Sequence, residues 1–291
     1  MKRVAIFGNQ FQEKKSIHTQ QLLDVLQTHQ VAILIERQYY LYLENHFSLE
    51  EYSLVPFETL DEEVDLVISI GGDGTFLETA RILQAMELPI LGINTGHLGF
   101  LADIGLEHME EEVIDILKGS MHIEKRSVLE VELIGEELPI SRYALNEVAI
   151  LKHDTSSMIA IETKVDGELL TTYQADGLII ATPTGSTAYS LSVGGPIMTP
   201  TCNTLSITPV APHSLNIRPI VFSDSATITL GIKSRSNNYL VAIDGKSASV
   251  KAETTTIIKR AKCHINIVRR KDQTFFKTLR NKMMWGENNI R

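Results

Sequence analysis

The sequence predicts an α/β N-terminal domain with a parallel sheet, followed by a β-rich, β-sandwich-like C-terminal domain. Three observations carry that prediction. Over residues 1–126, short β-branched runs alternate with amphipathic runs at helical spacing, the order of a parallel sheet covered by helices. Over residues 127–270 the helical runs give way to short apolar segments separated by turn residues, which is the texture of a β-rich fold. A chain of 291 residues has room for about two domains with sizeable cores.

Taken in order, Arg3–Gly8 is a strand that ends in a polar loop. Ile17–His29 places Leu22, Leu23, Val25 and Leu26 on one face of a helix. Val31–Ile35 is a second strand, and Tyr39–Leu43 opens a second helix whose aromatics pack rather than bind. Val64–Ile70 is a buried strand that delivers Gly71-Gly72-Asp73-Gly74-Thr75, after which Phe76–Leu83 continues as a helix. Pro89–Asn94 is another strand, ending in Thr95-Gly96-His97-Leu98-Gly99-Phe100, and Gly105–Lys118 is an acidic helix. Ligands of such sheets bind at the carboxyl ends of the strands, so Gly71–Thr75 and Thr95–Phe100 are expected to face one cleft.

In the second part Val128–Ile134, Ser141–Lys152, Ile159–Val165, Thr171–Ala175 and Leu178–Thr182 read as strands. Ala226–Ile232, Tyr239–Ile243, Ala248–Lys251 and Thr255–Arg260 follow in the same texture. Asp166-Gly167 and Asp244-Gly245 are hairpin signals, because both central positions of the tight turn demand positive φ. Phe275–Trp285 has helical periodicity and is expected to dock on another surface.

Charge and composition narrow the function. A net charge of −9 argues against general nucleic-acid binding and against docking to acidic membranes. The two cysteines, Cys202 and Cys263, are too few for a disulfide framework, have no metal-ligand spacing, and read as inert core thiols of a reducing compartment. No apolar run resembles a signal peptide or approaches the ~20 residues needed to span a membrane. The expectation is a soluble, cytoplasmic protein.

Two stretches carry chemistry. In Gly71–Thr75, three glycines in four positions let the backbone approach a ligand, and the first amides of the next helix form an anion site. Asp73 in the middle of that loop is a poor neighbour for phosphate unless a metal or a proton transfer is involved. A tight turn with Asp73 as a helix N-cap is the alternative. The second stretch runs from Asp176-Gly177 through Thr182-Pro183-Thr184-Gly185-Ser186-Thr187-Ala188-Tyr189 to Ser192. Its hydroxyls and glycine suit phosphate, ribose or adenine recognition, with Tyr189 and Ser192 on one face of a helical turn.

With Asn146-Glu147 between them, these motifs resemble the signature set of NAD kinases, and the likeness covers nearly the whole chain. Gly92–Phe100, Pro212-His213, Arg218-Pro219 and Ile243-Asp244-Gly245 agree with it. The Gly-Gly-Asp-Gly loop alone also occurs in diacylglycerol and sphingosine kinases and resembles phosphofructokinases. The resemblance implies phosphate transfer from ATP, with Mg²⁺ or another divalent ion, to the adenosine ribose 2′-hydroxyl of NAD, giving NADP. It implies a nucleotide-binding domain over residues 1–126 joined by the returning tail 271–291. Residues 127–270 would then form a dinucleotide-binding and oligomerisation domain, in a homodimer or homotetramer.

Carried over residue by residue, Asp73 is similar to the general base, with Gly71, Gly72, Gly74 and Thr75 as the loop around it. Asn146 and Glu147 resemble the ribose and dinucleotide holders. Thr187, Ala188, Tyr189 and Ser192 resemble adenine-side contacts, with Phe100 nearby. Asp176 resembles a contact for the nicotinamide half across a subunit interface, and Asp244 a second carboxylate near the transfer site. Lys246 departs from the glutamine often found after that Asp-Gly pair, and Val193 from a common alanine. His97 and His213 read as structural. A lipid kinase would need an apolar entry surface that no segment supplies, and a non-catalytic dinucleotide sensor would not require Asp73.

Overall fold

A computed structural model describes residues 1–8, 16–60, 63–84, 86–96, 99–153, 157–271 and 273–286. His97 and Leu98, the polar loop after the first strand, and residues 272 and 287–291 of the tail lie outside the described residues. The chain divides into two compact units, Met1–Lys125 with Ile265–Arg291, and Arg126–His264.

In the first unit, β1 (Arg3–Gly8), β2 (Ala32–Glu36), β3 (Leu54–Phe57), β4 (Leu66–Gly71) and β5 (Pro89–Asn94) pair in parallel in the order β3-β2-β1-β4-β5. The two-residue β6 (Ile104–Gly105) pairs with the end of β5, and the second half of a long strand, Thr255–Arg270, extends the sheet beyond β5, with Asn266 and Ile267 parallel to Pro89 and Ile90. Every residue of β4 is buried, as its unbroken apolar run requires of a central parallel strand. Helices α1 (Ser16–Thr28), α2 (Arg37–Glu44), α3 (Asp73–Leu83) and α4 (Met109–Leu117) complete the α/β layer. Leu22, Leu23 and Leu26 of α1 enter the core with Ile6, Ile68 and Ile93 of the sheet. The chain order reverses between β1 and β4, so the carboxyl ends of those strands mark the topological switch point where such sheets bind ligands.

The second unit is built on antiparallel pairing. The chain enters it within β7 (Met121–Ile134), which pairs with the two-residue β8 (Tyr143–Ala144). One sheet takes the order β14-β13-β12-β9-β16-β17, from β9 (Glu147–Lys152), β12 (Gly177–Ala181), β13 (Thr204–Val210), β14 (Ile220–Ser223), β16 (Asn238–Ile243) and β17 (Lys246–Lys251). A second group pairs β10 (Ile159–Val165), β11 (Glu168–Ala175), β15 (Ile228–Lys233) and the first half of β18 (Thr255–Arg270). Ile150, Leu178, Ile180, Tyr239 and Val241 share one core with Ile161, Tyr173, Leu230 and Ile258. Both predicted hairpins form: Asp166 and Gly167 have φ of +52° and +83°, Asp244 and Gly245 of +46° and +85°.

The tail folds onto the first unit. Helix α6 (Phe275–Met283) is N-capped by the Thr274 hydroxyl, which accepts from Lys277 N, and it buries Thr278 and Leu279. Among the described residues no helix is long and apolar enough to cross a membrane.

Several boundaries differ from expectation, each for a local reason. Helix α3 begins at Asp73 rather than Phe76, with Gly72 as its N-cap, so Asp73 is not a cap. The acidic helix starts at Met109 after one 3₁₀ turn, Leu106–His108. Strand β18 runs ten residues past Arg260, because lysine, arginine and histidine obscure its alternation. Pro56 and Pro209 mask strands β3 and β13 in the sequence. Pro56 lies on an edge strand, and Pro209, opposite Leu178 of β12, lies beyond the last β13–β14 pair, Ile207 with Ile220. Cys202 is exposed rather than a core thiol, and Cys263 is half-buried.

Candidate functional site

In the first unit, β4 ends at Gly71 and α3 begins two residues later, so the first amides of α3 have no intrahelical acceptor. Gly72, Asp73 and Thr75 are half-buried and Gly74 is exposed, so this anion-attracting terminus is open. The Asp73 carboxylate turns away from its own helix and accepts from three consecutive amides of the neighbouring loop. Phe100 N donates to Oδ2 at 2.9 Å, and Leu101 N and Ala102 N donate to Oδ1 at 3.0 Å each. A carboxylate has about four lone-pair positions, and the one remaining, on Oδ2, is on the side where Lys282 Nζ stands 3.6 Å away.

That amide cradle is itself held from behind. Buried Arg269, near the end of β18, donates to the carbonyls of Phe100 (2.7 Å) and Leu101 (3.1 Å) and pairs with Asp103 at 2.7 Å. Burial pushes the Asp103 carboxyl up, and the Arg269 guanidinium opposes that shift. Asn94 adds a bond from Nδ2 to the Ala102 carbonyl. Sequence reasoning missed Arg269 and Asp103. Their 166-residue separation is bridged only by the docking of β18 beside β5, which periodicity does not reveal.

Gly99 is the position the cradle cannot change. A Cβ there would run into Asp73 Oδ1 and stand 3.0 Å from the Ala102 carbonyl oxygen. Gly99→Ala is therefore expected to displace the Asp73 carboxylate and lower kcat by roughly 10- to 100-fold, since small misplacements of a reacting group cost that order. Its thermal midpoint should fall by only a few degrees. Wild-type kcat in this variant would mean that the observed Asp73 orientation is not the working one.

In the second unit Asp244 repeats the arrangement. Its Oδ2 accepts from Leu145 N (2.7 Å), and its Oδ1 from Asn146 N (2.9 Å) and Glu147 N (3.0 Å). Asp244 thus fixes the backbone that carries Asn146 and Glu147. Burial pushes its carboxyl up, and these three amides pull it back. Asn146 and Glu147 are themselves buried. The Glu147 carboxyl is raised to about 8, first by burial and then by the charge of Asp244, with the Tyr189 N–H opposing. Glu147 Oε2 is buried and has no hydrogen-bond partner.

The Thr182–Ser192 loop is built onto this strand end. Thr182 N donates to the Asn146 carbonyl (2.9 Å) and Thr182 Oγ1 to the Leu145 carbonyl (2.6 Å). A Cβ on Gly185 would collide with the Asn146 backbone, which is why glycine stands there. Ser186 and Ser190 are consumed internally, on Met198 and Thr208. Thr187 and Ala188 are half-buried, Tyr189 and Ser192 are exposed, and the short helix α5 (Tyr189–Ser192) presents them. So Asn146, Glu147, Thr187, Ala188, Tyr189, Ser192 and Asp244 gather at one end of β9 and β12. Asp176 does not join them. It lies at the other end of those strands, where Gly177 pairs with Leu151, about 13 Å from the Ala181–Glu147 pair by strand rise. There its carboxylate pairs with Lys152 at 2.7 Å on a cleft of about 650 Å³, which Lys233 and Arg235 also line.

Known proteins match this chain over both units. The ATP-NAD kinase N-terminal domain family matches residues 4–121 and the ATP-NAD kinase C-terminal domain family residues 145–269. An NAD kinase of Bacteroides fragilis is 53% identical over 284 residues, covering 98% of both chains. The solved structure of a yeast NADH kinase complexed with NADH superposes with a TM-score of 0.89 at 22% identity, over 99% of this chain and 88% of that one. An NAD kinase from Archaeoglobus fulgidus in complex with ATP gives 0.74 at 26% identity, over 97% and 98%.

Proposed function

The chain belongs to the ATP-NAD kinase family, and from that premise we propose that it transfers the γ-phosphoryl group of ATP to the adenosine ribose 2′-hydroxyl of NAD, giving NADP and ADP. The observation that carries the chemical reading is Asp73, a carboxylate fixed by three amides beside an open helix N-terminus, with one acceptor position left on Oδ2. A ribose hydroxyl is a weak nucleophile, and a positioned carboxylate that takes its proton helps it attack. The remainder of phosphoryl transfer is alignment and charge neutralisation. Gly71, Gly72, Gly74 and Thr75 bring backbone close to the phosphates, and Phe100 flanks the adenosine. Asn146 and Glu147 hold the ribose, while Thr187, Ala188, Tyr189 and Ser192 meet the adenine. Asp244 acts as a positioning residue for Asn146 and Glu147. The first unit is the nucleotide-binding domain and the second the dinucleotide-binding and oligomerisation domain.

The divalent ion, Mg²⁺ by its abundance beside ATP, enters as part of the ATP complex. Among the described residues no group of three or more His, Cys, Asp and Glu could hold a metal, and the amides bonded to Asp73 and Asp244 leave Asp73 a single acceptor position, on Oδ2. Mg²⁺ bound mainly through nucleotide phosphates and waters suits that donor set.

Incubating the protein with ATP, Mg²⁺ and NAD and measuring NADP tests the reading; no NADP would overturn it. NADH in place of NAD measures acceptor range, because the yeast relative of the same fold is an NADH kinase.

The active unit is a homo-oligomer, a homodimer or homotetramer, working in the cytoplasm. The support is the position of Asp176, at the opposite end of β9 and β12 from the adenine-side residues, where it suits the site of a second copy. Mixing Asp73→Asn with Asp176→Asn protein after dissociation and reassociation is expected to regain part of the activity that each lacks alone. Sedimentation of a fully active monomer would remove the oligomer.

A further inference from the structure

Resting on the kinase reading, we propose that Lys282, delivered by the C-terminal helix, is the cation that neutralises the transferring phosphoryl group. The Gly71–Thr75 loop has no lysine of its own, unlike a Gly-x-x-x-x-Gly-Lys loop, so its phosphate site needs positive charge from elsewhere. Lys282 Nζ lies 3.6 Å from Asp73 Oδ2 and 4.6 Å from the centre of the Phe100 ring. These two residues flank the open start of α3.

The placement is built from several contacts. Thr274 caps α6, Phe275 meets Phe100 at 6.3 Å between ring centres, and Thr278 and Leu279 are buried. Gln273 braces the first turn through a 2.9 Å bond to Thr278. Lys282 then falls in the last turn, where a cation also suits the helix dipole.

The geometry fits a shared cation better than a closed ion pair. At 3.6 Å the contact with Asp73 is longer than the 2.7–2.9 Å of a charge-assisted hydrogen bond, so a substrate hydroxyl can enter beside it. The ammonium has three donors; the aromatic face covers one side and Asp73 draws one N–H, which leaves a donor for phosphate oxygen. About a third of each side chain is exposed, so neither is sealed off from a nucleotide.

In the step itself, the 2′-oxygen forms its bond to the γ-phosphorus as the bond from that phosphorus to the β,γ-bridging oxygen breaks. ADP leaves with the electron pair, and the 2′-hydroxyl proton passes to Asp73. Lys282 neither gives nor takes a proton; it balances charge on the equatorial oxygens throughout.

The test compares Lys282→Ala, Lys282→Arg and Arg280→Ala with wild type. Arg280 is an exposed cation on the same helix and controls for the loss of one positive charge. For Lys282→Ala the expectation is a KM for ATP raised about tenfold or more and kcat lowered 10- to 100-fold. KM for NAD and the melting temperature should stay near wild type. Lys282→Arg should restore most of the loss, and Arg280→Ala should stay within about twofold. Calorimetric titration with Mg·ATP in the absence of NAD should show the same tenfold weakening for Lys282→Ala. Unchanged ATP parameters would overturn the proposal, as would equal effects on both substrates, an equal loss in Arg280→Ala, or a rise in kcat, which would make the contact an inhibitory latch. A wild-type protein that forms no NADP would sink the kinase reading, and the ATP titration would still decide on Lys282.

Discussion

Asp73→Asn is expected to lower kcat by about 10²–10⁴, the usual contribution of a positioned general base, while NAD still binds. Asparagine matches aspartate in shape but offers one acceptor oxygen instead of two. If that oxygen keeps the Leu101 and Ala102 amides, the new NH₂ group faces the Phe100 amide, donor against donor. That mismatch costs on the order of 1–3 kcal/mol of stability, and Lys282 loses its carboxylate partner as well. The chemical loss must therefore be separated from a local rearrangement. Asp73→Glu supplies that control, because it retains the charge but places it about one bond further out. Both variants should lose kcat, both should bind NAD within a few-fold of wild type by calorimetry, and neither should recover with added Mg²⁺. Turnover near wild type in Asp73→Asn would make Asp73 structural and its role as general base would be lost.

The residues that sequence reasoning singled out around Asp73 and Asn146-Glu147 are those that meet in space within each unit, because short motifs are local. A strand, a glycine turn and a helix start are fixed within ten residues, and Asp166-Gly167 and Asp244-Gly245 announce their own turns. What the sequence concealed is non-local. That Asp73 faces the Phe100–Ala102 amides depends on β4 lying next to β5, and the clamp by Arg269 depends on β18 docking beyond β5. Lys282 reads in the sequence as one more polar member of an amphipathic tail, and only the fold of α6 puts it beside Asp73. Asp244 was legible as a turn residue and by resemblance as a site carboxylate, but its bonds to Leu145, Asn146 and Glu147 cross about a hundred residues. Hydroxyls misled in the other direction: Ser186 and Ser190 look available in the sequence and are spent inside the loop.

Glu147 should make the folded protein lose stability as pH rises through neutrality. Its carboxyl has an ordinary value near 4.5 and is raised to about 8 in the fold, by burial first and by Asp244 second, against the Tyr189 N–H. Between those two values the folded state keeps a proton that the unfolded chain has released. Proton uptake therefore favours the native state there, and raising the pH favours unfolding. The contribution is fully present below about pH 4.5 and is lost as pH passes about 8, amounting to roughly 5 kcal/mol at most. Asp244, also raised by burial, adds to the same trend. Glu147→Gln imitates the protonated acid at every pH, so it should flatten the melting-temperature profile between pH 5 and 9 and exceed wild type at the alkaline end. The same logic reaches binding. At neutral pH a protonated Glu147 is a hydrogen-bond donor, and its buried Oε2 lacks a partner within the protein. Affinity for NAD should accordingly fall above about pH 8 in wild type but not in Glu147→Gln. Parallel melting curves for the two proteins would mean that Glu147 is ionised and solvated in the working enzyme, and its place as a buried, neutral ribose holder would go with them.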